Sequence, residues 1–98
     1  MKKPYIVCSA IYVPNHIQYV HQPVNISHGI VVCGLRHCNC CVTLAQIFES
    51  FDYKNHRPIY GFLTSENQFV SRDDASVIAL KAGQVDKVTD GLFSEDLY

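Results

Sequence analysis

The densest group of reactive side chains in this sequence is Cys33-x3-His37-Cys38-x-Cys40-Cys41. Thiolate and imidazole are zinc ligands. A tetrahedral zinc site usually draws on two separated knuckles, because one short segment does not wrap four corners. Here every ligand would come from one stretch, no second Cys-x2-Cys or His-x3-His follows, and adjacent Cys40 and Cys41 point to different sides. The pattern therefore reads as small, partly buried residues at a strand end and helix start. A small Cys/His metal-binding module stays as an alternative, but no metal or other cofactor is expected. A nucleophilic Cys–His pair needs a base oriented by a third group, and no motif fixes one. The chain is expected not to be an enzyme. Asp73-Asp74 does not converge on one point from neighbouring helical positions; it reads as helix-end compensation.

A different chemistry is suggested by Arg36-His37, Arg72, Phe62 and Phe69. The guanidinium fork suits phosphate, and histidine adds a donor or a stacking face. Arg72 falls in a predicted first helical turn, where free N–H groups also attract anions. Phe62, Phe69 and the tyrosines offer surfaces for a base. The competing reading makes the arginines ordinary surface charges and the phenylalanines core.

The elements that must position these residues are legible in outline. Tyr5–Val13 is β-branched and aromatic, apolar on both faces, and predicts a central strand. Pro14–His28 is polar, broken by Pro23, and predicts a hairpin arm or loop. Gly29–Cys33 predicts a second strand. Leu44, Ile47, Phe48 and Phe51 form an apolar stripe and predict a helix from about Cys41 to Phe51. Ile59–Thr64 and Gln68–Val70 predict a hairpin across Ser65-Glu66-Asn67. Ser71, with Asp74 three residues on, begins a second helix whose expected buried face is Ala75, Ile78, Ala79 and Ala82. Gly83 is placed to end it. The tail carries Leu92, Phe93, Leu97 and Tyr98 and is expected to dock on the body or on a neighbouring subunit. The expectation is a small α+β domain, residues 1–98, with an antiparallel sheet and two helices.

Composition narrows the partners. The chain has 98 residues, and 48% are hydrophobic, enough to support a core. The net charge is −1 with the basic residues scattered, which argues against DNA or an anionic membrane surface as partner. No apolar run approaches a membrane span. Met1-Lys2-Lys3 before Tyr5–Val13 only faintly mimics a signal peptide, because the stretch alternates and lacks a cleavage site. Five clustered cysteines do not make a secreted disulfide framework and point to a reducing cytoplasm.

The string Gly61-Phe62-Leu63-Thr64, then Gln68-Phe69-Val70-Ser71-Arg72-Asp73-Asp74-Ala75, then Ala82-Gly83-Gln84, closed by Leu92–Tyr98, resembles the first Thoeris anti-defence family. So do Ile6–Ala10, Gly34-x-Arg36-His37 and Gln46-Ile47, whereas Pro14–His28 lies outside the likeness. The resemblance implies a phage protein in the cytoplasm of the infected bacterial host. That family sequesters, intact, the cyclic ADP-ribose signals of bacterial TIR immune proteins. It uses pockets shared between subunits of homo-oligomers, dimers or hexamers, and some members also hold cyclic oligonucleotides. Carried over by position, it implies ligand contacts at Arg36, Phe62, Ser71 and a basic residue after Gly83-Gln84, nearest to Lys87. Ser71 departs from the Asn or Asp common at that position, and the cysteine cluster is not a family feature. A host-factor adaptor acting through the apolar tail is the remaining alternative.

Overall fold

The computed structural model describes residues 3–15, 17–18, 22–47, 58–87, 91–93 and 96–97. The element order is β1 (Ile6–Val13), β2 (Ile30–Gly34), α1 (His37–Ile47), β3 (Ile59–Thr64), β4 (Phe69–Ser71) and α2 (Arg72–Lys81). The strands form one antiparallel sheet in the order β2-β1-β3-β4. This is the expected small α+β fold, with β1 inside the sheet as its two apolar faces require.

Both helices lie on one face. Ser9 pairs with Phe62, Ile11 with Tyr60 and with Val32, and Phe62 with Val70, so these side chains share that face. α1 covers the β1–β2 half, where Cys40 and Leu44 pack on Ile11, Val13 and Val32. α2 covers the β3 half, where Ala75 and Ala79 pack on Ile6, Phe62 and Leu92. Ile6 joins this face through an irregularity in the β1–β3 register between Ile6 and Cys8. One extra residue, Val7, restores the parity that strict alternation would have broken, and Val7 itself stays exposed.

The end of α2 explains how the chain returns to the sheet. The Gly83 N–H donates to the Leu80 carbonyl and the Gln84 N–H to the Ala79 carbonyl. That is a Schellman closure, and it needs Gly83 at φ +78°. Gln84 then clamps the start of β1: its Oε1 accepts the Ile6 N–H at 2.8 Å and its Nε2 donates to the Ile6 carbonyl at 2.9 Å. Leu92, 1% exposed, fills the core beside Phe62, and each such fully buried side chain contributes about 1.5–3 kcal/mol. The tail thus docks on the body.

Asn25 closes the outer side of β4. Its Oδ1 accepts the Phe69 N–H at 2.8 Å and its Nδ2 donates to the Phe69 carbonyl at 2.7 Å. Val24 donates to the Asn67 carbonyl alongside. An amide side chain here takes the place of a fifth strand. The described residues of 14–28 contain no strand and follow the loop of the two expected alternatives.

Some boundaries differ from expectation. α1 begins at His37, four residues before Cys41, because Arg36 and Asn39 cap it: the Arg36 N–H donates to Asn39 Oδ1, and the Arg36 carbonyl accepts from Asn39 and Cys40. Leu44 is buried as predicted, whereas Phe48 and Phe51 lie outside the described residues. In α2 the buried set is Ala75, Ser76 and Ala79; Ile78 and Ala82 are half-buried. β2 and β4 each sit one residue later than expected. No helix among the described residues is long and apolar enough to cross a membrane.

Candidate functional site

Tyr60 is where the two helices meet. It stands two residues before Phe62 on the same face of β3, at the strand's outer end, and it is exposed. From the start of α1 the His37 ring approaches it, centroids 5.7 Å apart. From the start of α2 the Arg72 guanidinium carbon lies 5.8 Å from its centroid. Two helix N-termini therefore face one aromatic ring. The positive ends of the two helix dipoles lie at this corner, and Asp73 and Asp74 in the first turn of α2 partly offset that charge.

The tail completes the site. The Leu92 N–H donates to the Arg72 carbonyl at 3.0 Å. Phe93 is tied to Asp96 by two bonds: its N–H donates to Asp96 Oδ2, and the Asp96 N–H donates to its carbonyl. With Leu92 anchored in the core, the Phe93 ring is carried over Arg72, 4.5 Å from guanidinium carbon to centroid. Arg72 is thus held between two rings, both within cation–π range. Its Nε is buried and has no hydrogen-bond partner among the described residues. A buried donor left unpaired costs about 1–3 kcal/mol, and an incoming acceptor relieves that cost.

His37 is fixed from below. Its Nε2 lies 2.8 Å from the Gly61 carbonyl, and its ring meets the edge of Phe62 at 5.1 Å. Cys41 Sγ lies 3.9 Å from the Tyr60 hydroxyl. Arg36 is half-buried, and its backbone caps α1 directly before His37.

The predicted contact residues divide between places. His37 and Arg72 come together around Tyr60, and Arg36 precedes His37 in the chain with its backbone capping α1. Phe62 is fully buried and offers no face to a ligand; it supports His37 instead, because α2 closes over it. Phe69 lies on the opposite face of the sheet, nearly buried, beside Tyr12 with centroids 5.8 Å apart and directly over Gly61. A Cβ at Gly61 would stand 2.7 Å from the Phe69 ring, so glycine is required there. Ser71 is the cap of α2, its Oγ accepting the Asp74 N–H at 3.2 Å. Lys87 is exposed and lines a separate cavity of about 270 Å³ with Gln84, Val85, Asp86, Leu92 and Asp96.

No local motif sets Tyr60 apart from the other tyrosines or Phe93 from the rest of the apolar tail. The available signals were an aromatic sharing the face of Phe62 at the open end of β3, and an aromatic following a residue that must be buried. The cysteine cluster disperses. Cys40 is in the core, its thiol donating to the Ser9 carbonyl at 3.6 Å, and burial pushes it up to about 11. Cys33 and Cys38 are exposed, and no group of three or more described His, Cys, Asp or Glu residues could hold a metal ion. An adaptor built on the tail loses Leu92 to the core and keeps Phe93 on the surface.

A family model described as phage T4 y16D protein matches residues 5–98, including the segment 14–28 that the Thoeris resemblance left outside. No curated protein and no solved structure matches. Since the match spans nearly the whole chain, this protein belongs to the phage T4 y16D protein family.

Proposed function

We propose that this phage protein binds and holds, without cleaving it, a cyclic ADP-ribose-type immune signal in the infected cell, and so blocks TIR-based Thoeris immunity. The observation that carries the reading is Arg72, held between Tyr60 and Phe93 with its Nε buried and unpartnered among the described residues. A pyrophosphate supplies acceptors for that guanidinium and for Arg36, each charge-assisted bond contributing about 1.5–3 kcal/mol. An adenine stacked on an exposed ring of the site, Tyr60 or Phe93, adds about 1–3 kcal/mol. His37 contributes a third ring. The sequence resemblance supplies the cyclic ADP-ribose class, and the family match supports the phage setting.

A sponge must hold its signal at nanomolar levels, about −12 kcal/mol. A corner site on one small subunit leaves much of such a ligand in water, so a second copy closes it, giving a homo-oligomer. Lys87, from its own cavity, is then a contact contributed across subunits.

Isothermal titration calorimetry with cyclic ADP-ribose isomers tests binding, and chromatography after heat denaturation tests the fate of the ligand. Intact ligand recovered from the denatured protein supports sequestration. Linear product makes the protein a hydrolase, and the absence of binding by every isomer removes the reading.

A further inference from the structure

The two outer edges of the sheet are treated differently. At one edge, Asn25 bonds the backbone of β4 and Val24 bonds the turn before it. At the other, nothing among the described residues pairs with the outer side of β2. The segment between β1 and β2 sends Val24 and Asn25 across to β4 instead. β2 also lacks the usual guards of an open edge: Ile30–Gly34 contains no charged residue and no proline.

α1 continues this uncovered side. It packs most closely on β2, and one flank holds Cys41 against Tyr60 of β3. At 3.6 residues per turn, Asn39, Val42, Thr43 and Gln46 then occupy the flank turned from Tyr60 toward the β2 edge. The helix contains no Asp, Glu, Lys or Arg at all. Val42 is 58% exposed, and Leu35, directly after β2, is 60% exposed. A helix at the rim of a sheet ordinarily turns charged residues to water.

We infer that the β2 edge and this flank of α1 form an interface with a second copy of the chain. A strand paired antiparallel with its own copy meets the same alternation of donors and acceptors, so the edge is complementary to itself about a two-fold axis. That axis stands perpendicular to the sheet and sets α1 beside its copy on one face. Two uncharged flanks meet there without like-charge repulsion, and Val42 and Leu35 leave water. The product is one continuous antiparallel sheet of twice the width. β1 stands between this edge and β3, so the interface is separate from the contact that closes the Arg72 corner. It does not rest on the ligand reading.

The test is sedimentation velocity of the reduced full chain without any nucleotide, with hydrogen exchange to locate the contact. The expected result is a dimer in which the amides of Val31, Val32 and Cys33 are all protected. Val42→Glu sets like charges against each other across the axis, and Cys33→Lys places a lysine on the edge; both replace exposed residues. Each should give a monomer with an unchanged far-ultraviolet circular dichroism spectrum and roughly ten-fold faster exchange at β2. Arg72→Ala should leave the dimer intact, which separates this result from the ligand reading. A monomeric wild type, a dimer whose β2 amides exchange freely, or a dimer that survives both substitutions overturns the inference.

Discussion

The guanidinium of Arg72 lies 4.5 Å from the centre of the Phe93 ring because the residue before that phenylalanine, Leu92, is locked in the core and bonded to the Arg72 carbonyl. Arg72→Ala should therefore weaken binding of a cyclic ADP-ribose isomer by roughly 10- to 100-fold, the loss of one charge-assisted bond. It should cost little stability, about 0.5–2 kcal/mol of cation–π contact. Calorimetry and denaturant unfolding read the two effects separately. Arg72→Lys should not restore binding, because the planar stack is lost.

Tyr60 and Phe62 share a face of β3 but should fail differently. Phe62→Ala empties a fully buried site and should cost about 3–5 kcal/mol. Tyr60→Ala removes an exposed ring and should leave the urea midpoint near that of the wild type while lowering affinity. A Tyr60→Ala variant that unfolds early would make the ring a structural support.

Asn25 should matter more than a loop residue ordinarily does. Asn25→Ala strips two bonds from the Phe69 backbone and should cost about 1–3 kcal/mol. It also bares the outer side of β4, so size-exclusion chromatography should show more association at high concentration.

Cys8 should be alkylated by iodoacetamide with a half-maximal rate near pH 7, where an ordinary thiol of pKa 9.0 is still protonated. The stability sign follows from linkage. The folded value is depressed below the unfolded one, so the contribution is present above about 9.0 and is lost as pH falls through about 7. The stability difference between wild type and Cys8→Ser should widen over that interval, as chemical denaturation at each pH would measure.

Much of the fold was readable because local rules and the global fold agree. β3 has its predicted bounds, Ser71 caps α2, and Gly83 closes it, since cap, turn and periodicity signals act over a few neighbouring residues. The start of α1 was missed because its cap comes from Asn39, inside the first turn, rather than from a Ser, Thr or Asp ahead of it. The parity change at Val7 was also invisible, since a bulge is fixed by the partner strand and not by the bulged strand.

The sequence by itself determined the α+β class, the central position of β1 and the second helix with both of its ends. Only the tertiary structure decided that Phe62 is buried, that Phe69 lies on the far face, and that Tyr60 and Phe93 enclose Arg72. A side chain's face depends on register, and its exposure depends on what packs over it. Both are set by contacts between residues far apart in the chain, and no local pattern records them.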